Sequence, residues 1–485
     1  MTASLPAGPR QSVRLLTLQD ALRIGLANNR EYQSQKEQVY LSALAFSLSR
    51  WQFAPRFFGL VSGDLTRDGS GEVSGSVDSD FGWNWLFASG ARLSVSLASH
   101  FFQFFTGDRM EAASSVVSAA ITQPLLRGFG SHIVLEPVTQ AERNVVYQLR
   151  SFERFRQTFG VEVARQYYRA LEARSLLTNE YLNWQGLVNN LDRARAMNEG
   201  GRLPRFEVDQ VLQQELQARN RYAVAVEDFE SSLDRFKITL GFPITAAIGL
   251  DESEFERLQD YAAAAVEVEI DVEDALAAAL RSRLDLTTVR EQVEDSERRI
   301  AVAADALRAQ LDISASANLV SGARSGAQTP LKINSARGVY GVGLNLDLPF
   351  DRRAERNAYA AAIISFESEK RSASLFEDSI LLTVRDSHRR FVRERHTYRI
   401  QAESVPLAQV RVESTIALRE AGRAETRDIL DSQRALIETK NALTSSLINL
   451  TLARLEFYRD TGLLRLENDG RLVEDPIPRR VSDGP

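Results

Sequence analysis

The sequence predicts a mixed α and β fold that is mainly α, built from long coiled-coil helical hairpins repeated in tandem. Three observations predict it. A break in a very long amphipathic segment occurs twice, at Gly201-Arg202 running into Glu207-Val208 and at Gly422-Arg423 running into Asp428-Ile429. A ladder follows each break at one offset: Asn220, Tyr222, Phe229, Phe236 and Gly241 stand 221 positions before Asn441, Leu443, Leu450, Phe457 and Gly462. The flanking segments carry apolar residues at heptad spacing, as in Val384, Phe391, Tyr398, Val405 and Val412, which marks helices packed side by side.

The first helix opens at Thr17, a plausible N-cap with Asp20 three residues on, and Leu18, Leu22 and Leu26 follow at helical spacing. Asp271-Val272-Glu273-Asp274-Ala275-Leu276 repeats this opening 254 residues later. From Phe57 the period changes to two, and strands are expected at Phe57 to Thr66, Phe81 to Phe87, Arg92 to Phe102 and Ser115 to Gln123. The second copy offers Leu311 to Val320 and Gly338 to Leu348. The β regions, 57–123 and 311–348, end at Pro124 and Pro349, which are offset by 225 rather than 254. The first therefore carries 29 additional residues, about one hairpin, placed at Phe81 to Phe105.

Helix resumes after each proline, over Ser131 to Asn198 and Arg353 to Arg419, and each run spans about 100 Å at 1.5 Å per residue. Pro406 is expected to bend the second locally. The turns fall at 200–204 and 420–425, after which return helices lead to Gly241-Phe242-Pro243 and to Leu464. The chain thus divides into a first repeat over 17–242, a link over 243–270, a second repeat over 271–464 and a weakly ordered tail over 465–485.

Composition narrows the function. The net charge of −6 gives no electrostatic reason to expect nucleic acid. No apolar run reaches the roughly 18 residues of a transmembrane helix, so membrane contact would fall to strands or a surface patch. Cysteine is absent, which excludes disulfides, thiolate metal sites and a cysteine nucleophile. His388 and His396 lie eight apart without suitable carboxylates, so neither metal nor cofactor is expected. The basic run from Arg385 to Arg399 is interleaved with Glu394 and heptad apolar residues and reads as a solvated helix face. Met1 to Arg14 lacks an apolar core and does not read as a signal peptide, so either the given start is trimmed or mis-assigned, which is the favoured expectation, or the protein is not exported.

In order and in duplicate, the paired openings LTLQDAL and DVEDALAAAL, the strand-ending TQPLLRGFG and LNLDLPFDRRAERNAYAAA, and the closing stretch from AGRAETRDILDSQRALIETKNALTSSLINL to TLARLEFYRDTGLL carry a resemblance. From Thr17 to about Leu464 the chain is similar to the TolC-like outer-membrane efflux proteins, the outer-membrane factors of tripartite efflux or type I secretion systems. The resemblance implies a homotrimer whose protomers complete one transmembrane β-barrel, usually with four strands each. It also implies a helical tunnel, or α-barrel, through the periplasm, and an equatorial collar from the link and termini. The barrel agrees with an independent argument, because strands too few to close within one chain leave edges that lipid forbids.

Site residues follow from the resemblance. Asp428 and Asp431, one helical turn apart, match the aspartates ringing the periplasmic gate, with Glu207 as the equivalent in the first repeat. Arg423 and Arg202 stand where they can bridge to such carboxylates. Gly200, Gly201, Leu203 and Gly422 form the tips where a periplasmic adaptor would dock. Trp83, Trp85, Phe101, Phe102, Phe104 and Phe105 offer an aromatic girdle at the interface with outer-membrane lipid. The implied function is a passive exit duct across the outer membrane and periplasm of a Gram-negative-type bacterium, exporting small molecules or polypeptides with an inner-membrane transporter and the adaptor. The competing reading is a soluble structural coiled-coil scaffold. An enzyme is disfavoured, because the sequence holds no nucleophile with a base, metal cluster or phosphate loop.

Overall fold

The computed structural model describes residues 14–106, 111–267, 269–321, 333 and 338–478. The chain begins with β1 (Arg14–Leu16), α1 (Leu18–Asn28) and α2 (Arg30–Trp51). Four strands follow, β2 (Arg56–Arg67), β3 (Val73–Leu86), β4 (Arg92–Phe104) and β5 (Glu111–Pro124). The short α3 (Ser131–Val134), the long α4 (Glu136–Glu199) and the return helix α5 (Arg205–Thr239) complete the first half. Between the halves lie β6 (Ile248–Leu250) and α6 (Ser253–Glu267). The second half runs α7 (Val272–Ser282), α8 (Leu284–Ala306), β7 (Gln310–Val320), β8 (Val339–Asp347), α9 (Arg353–Glu420) and α10 (Thr426–Asp460). It ends with β9 (Leu464–Leu466) and β10 (Leu472–Glu474).

These elements form two compact units, one from the residues up to 37, 150–287 and 375 onward, the other from 38–149 and 288–374. The first unit is helical. Its largest fully buried side chains include Tyr167, Phe236, Phe391 and Phe457. Phe236 and Phe457 are rungs of the repeated ladder; one meets Tyr167 edge-on at 5.6 Å and the other stacks on Phe391 at 6.1 Å. Each return helix ends in the same cap. Gly241 and Gly462 have φ of 79° and 76°, so the amides of Phe242 and Leu463 reach back to the carbonyls of Lys237 and Tyr458.

Both opening helices break after 11 residues, at Asn29 and at Arg283, which have extended ψ of 128° and 113°. The sequence reading missed these breaks because each stands inside a continuous helical pattern. The breaking residue has a task at the neighbouring return helix: Asn29 Nδ2 donates to the Thr239 carbonyl at 2.8 Å and Arg283 Nη1 to the Asp460 carbonyl at 3.3 Å. Two carbonyls left over at helix C-termini are thereby satisfied at equivalent positions. β1 pairs in parallel with β6. Around Arg165, Glu456 and Arg390 the helices α4, α10 and α9 share one ionic bridge, both arginines donating to the carboxylate at 2.7 Å. The arginine run on α9 lies largely in such pairs, for example Arg389 with Asp386 and Arg393 with Glu394. The tail expected to be weakly ordered is corrected over 465–478. There β9 and β10 pair antiparallel, with Leu464 and Leu466 buried in the core, and Arg454 holds Glu474 at 2.8 Å; residues 479–485 lie outside the described residues.

The second unit contains one antiparallel sheet of six strands in the order β2-β3-β4-β5-β7-β8. Within its helical part, Asp295 is almost fully buried between Arg143 at 2.5 Å, the Tyr147 hydroxyl at 2.7 Å and Arg298 at 2.9 Å. The strands β3 and β5 exceed their expected spans most, β5 by beginning at Glu111 rather than Ser115. β3 begins at Val73 rather than Phe81, because Val73 to Asp80 is rich in Gly, Ser and Asp and reads as turn, whereas its ladder with β2 recruits it into the sheet. Three strand glycines lie under aromatic rings: a Cβ on Gly59, Gly75 or Gly82 would come within 2.8 Å of Phe81, 2.7 Å of Phe105 and 2.7 Å of Phe58 respectively. Rings thus cover the gaps that side-chain-free residues would leave in the pleat. The resemblance implies four strands per protomer, and the sheet has six. The difference is β3 and β4, where the sequence places its additional hairpin.

Candidate functional site

Two features carry the functional reading, the helix tips in the helical unit and the faces of the sheet in the other. Each tip is a five-residue loop closed by the same hydrogen bonds. Gly201 and Gly422 both have φ of 68°, the Arg202 amide donates to Met197 O at 2.8 Å, and the Arg423 amide donates to Leu418 O at 2.8 Å. Only glycine adopts that left-handed turn without strain, which is why the break falls there. The carbonyls of Leu203 and Ala424, again equivalent, take side-chain bonds from Asn198 at 2.6 Å and Arg419 at 3.3 Å.

Past the turn the two tips diverge, and proline is the reason. In the second tip the Asp428 carboxylate reaches back to the Glu425 amide at 2.9 Å, as a capping residue does. The equivalent of Glu425 in the first tip is Pro204, which has no amide proton to offer. Glu207 is therefore free to reach across, accepting from the Thr426 hydroxyl at 2.5 Å and from Arg419 at 3.4 Å. One carboxylate thus ties the first turn of α5 to the first turn of α10 and to the end of α9.

The predicted gate residues divide accordingly. Asp428 is exposed but serves as a cap, and Asp431 is exposed with Arg427 at 3.6 Å along its own helix. Glu207 is half-buried and paired, so it is not a free gate carboxylate in this protomer. Arg202 and Arg423 are exposed and their side chains make no hydrogen bond or ion pair among the described residues; the expected bridging role within a protomer falls to Arg419. Sequence reasoning missed Asn198, Arg419 and Thr426, although the 221 offset that pairs Asn198 with Arg419 contains the signal. Of the tip residues, Gly200, Gly201 and Gly422 are exposed. Leu203 is corrected: at 7 % exposure it packs beneath the loop with Leu187, Leu191, Val211 and Leu430, and supports the tip from inside.

The sheet sorts most of its side chains by face. Its pairing register puts Phe57, Trp83, Val95, Ala119, Ala317 and Tyr340 in one row across all six strands. The adjacent row, on the opposite face, reads Arg56, Asn84, Ser94, Ala120, Ser316 and Gly341. The first face continues with Val61, Leu65, Val77, Val342, Leu344 and Leu346, all exposed. The second carries Asp64, Asp78, Asp80, His100, Asp312 and Asp347. The aromatic girdle is corrected by the same register. Trp83, Trp85 and Phe101 lie on the apolar face, and Phe105 covers Gly75 on that face from just beyond β4. Phe102 and Phe104 point to the polar face, where Phe102 stacks with His100 at 6.4 Å and meets Phe104 edge-on at 4.8 Å. Neighbours in a strand cannot share a face, so Phe101 and Phe102 were bound to separate. The tryptophans and the phenylalanines also stand toward opposite ends of the sheet, about 20 to 35 Å apart along the strands.

Among the described residues no helix is long and apolar enough to cross a membrane, and no cluster of His, Asp and Glu is arranged to hold a metal ion. No known protein-family model matches the sequence. No curated protein matches it either. Solved structures do. The fold superposes on the Campylobacter jejuni CmeC outer membrane channel with a TM-score of 0.67 and 12 % identity, over 92 % of this chain and 85 % of that one. CusC, studied for the conformational changes that accompany folding and transmembrane channel formation, gives a TM-score of 0.66 and 12 % identity over 95 % of both chains. The open state of the Neisseria gonorrhoeae MtrE outer membrane channel gives 0.65 and 13 % identity, over 92 % of this chain and 88 % of that one. At this level of identity the likeness is one of fold, and the chain has the fold of the TolC-like outer-membrane channels.

Proposed function

We propose that the chain is one protomer of a passive outer-membrane exit duct. One observation carries this reading: an open sheet with a largely apolar exposed face, a mainly polar face behind it and two edges that are unpaired among the described residues. In water an apolar face of this size is a liability, and in lipid an open edge is one. Both are relieved when copies of the chain join their edges into a barrel with the apolar face toward lipid and the polar face toward a water-filled lumen. A homotrimer suits the fold. The helices then form the periplasmic tunnel, and the duct, performing no chemistry itself, works with an inner-membrane transporter and a periplasmic adaptor that meets the exposed tips around Gly200, Gly201 and Gly422. Asp428 and Asp431 supply negative charge at the tunnel entrance, repeated by symmetry, which favours cations and disfavours anions. Small molecules and polypeptides both suit such a passage. The soluble scaffold reading leaves the exposed apolar sheet unexplained.

Sizing the protein after membrane extraction tests the proposal. A trimer that requires detergent to stay in solution is expected, and a monomer or dimer fully soluble without detergent overturns the reading.

A further inference from the structure

We infer that the hairpin of β3 and β4 is part of the barrel wall, so that three copies close a barrel of 18 strands, three times the six of one chain. The inference rests on the trimeric duct reading and adds what that reading leaves open, the make-up and width of the wall.

The hairpin is bonded on both sides. β3 pairs with β2 from Arg56↔Asn84 to Arg67↔Val73, and β4 pairs with β5 from Arg92↔Thr122 to Gln103↔Glu111. The hairpin itself pairs from Ser74↔Phe104 to Leu86↔Arg92. An appendage projecting beyond a four-stranded wall would leave β2 beside β5 and would have no reason to alternate. Here β2 reaches β5 only through the hairpin, and most of its side chains go on sorting between the two faces, with Ser79 and Ser99 on the apolar side and Phe102 and Phe104 on the polar side as exceptions. Phe81, Trp83, Val95 and Leu97 continue the apolar face, while Asp80, Asn84, Ser94 and Ser96 continue the polar one. Lipid on one side and water on the other demand this alternation of every strand in a wall.

The edges name the occupant. Among the described residues β2 and β8 are the strands unpaired on one side, at the two ends of the sheet, and with six strands alternating in direction they run antiparallel to each other. A second copy's β8 therefore fits against β2 with the alternation preserved, and the operation repeats around a ring. One chain alone cannot close, because transmembrane barrels start at about eight strands. Three copies give an even-numbered barrel in the range of about 16 to 18 strands that leaves an aqueous channel, roughly half again as wide as twelve strands would make.

The chain has no cysteine, so a single introduced thiol reports its own surroundings. Leu97→Cys and Ser96→Cys probe the two faces of β4, and Val117→Cys and Ser118→Cys probe β5, a wall strand on either count. Each variant, sized first as a trimer, is reacted in lipid vesicles with a hydrophilic, membrane-impermeant maleimide and with a lipid-soluble one. The hydrophilic reagent should label Ser96→Cys at least tenfold faster than Leu97→Cys, with the preference reversed for the lipid-soluble reagent and the same contrast in β5. If Leu97→Cys does not assemble, Val95→Cys against Ser94→Cys asks the same question. Equal labelling of the β4 pair with the β5 contrast intact places the hairpin outside the wall and overturns this inference alone. Loss of contrast in β5 as well overturns the duct reading beneath it. A double variant, Val61→Cys with Val342→Cys, should give a crosslinked ladder that ends at trimer with a bifunctional maleimide. Crosslinks confined to one chain, or a ladder ending at dimer, contradict the 18-strand count.

Discussion

Glu207 and Thr426 are 2.5 Å apart, carboxylate to hydroxyl, and through this contact the first turns of the two return helices are joined. They come from different repeats, 219 residues apart in sequence. The contact exists because Pro204 denies Glu207 the capping bond that its counterpart Asp428 makes. The repeat therefore loses its symmetry where the tips of the two hairpins are tied together. A double-mutant cycle of Glu207→Ala with Thr426→Val should give a coupling of about 1 kcal/mol in the opening of the tip, read from amide exchange at 421–430. Additive effects would show that the bond contributes nothing in solution.

Charge and capping are separable at Asp428. Asp428→Asn with Asp431→Asn keeps side chains able to cap a helix while removing two carboxylates per protomer. Block of the channel by a multivalent cation on the periplasmic side should weaken several-fold in single-channel records. Unchanged block would leave both residues as helix-start groups and move the constriction elsewhere. Arg419→Ala should raise the closed-state conductance, because it frees Glu207 and the Ala424 carbonyl together. Arg423→Ala should raise it only if Arg423 bridges to a neighbouring protomer, since its side chain has no bonding partner among the described residues of its own.

The two tip glycines should behave alike. Nothing lies within 4 Å of a Cβ placed on Gly201 or Gly422, so substitution by alanine meets no clash and costs only the left-handed φ of 68°. Gly201→Ala and Gly422→Ala should each destabilise their tip by about 1 kcal/mol, measured by local amide exchange or by susceptibility of the tip to proteolysis. Unaltered exchange in both would contradict the cap.

Glu456 gives the helical unit an acid-sensitive bridge. Burial works against its carboxylate, but the bond and charge of Arg165, then the charges of Arg390 and Arg459, outweigh burial and hold its pKa below the usual glutamate range. A depressed folded-state pKa contributes stability that is complete above the unfolded value of about 4.3 and is lost as pH falls through the folded one. Glu456→Gln should destabilise the unit at pH 7 by about 2 kcal/mol, and its difference from the parent should shrink below about pH 4. A difference that persists unchanged to pH 3 would show that packing, not charge, accounts for the loss.

What could be read from sequence follows the strength of each signal. Helices held by heptads over many turns and glycines that force a left-handed cap are written locally, and so are the strands with clean alternation such as β2. The early half of β3 is not, since Ser74, Gly75 and Ser76 have low strand propensity and are held by the neighbours on both sides. The breaks at Asn29 and Arg283 and the bond from Arg419 to Glu207 depend on which helix end lies opposite, and this is set by tertiary packing. The girdle failed at Phe102 and Phe104 for a different reason: their pattern is legible, but which of two adjacent rings faces outward depends on register. Leu203 failed because a loop leucine gives no sign of turning under its own tip.

Copies of this chain are proposed to make a water-filled passage through a membrane. Recording from detergent-purified trimers added to planar lipid bilayers tests it most directly. Discrete, cation-preferring conductance steps that a multivalent cation blocks from one side only are the predicted result, and homogeneous trimers that leave the bilayer electrically silent would contradict it.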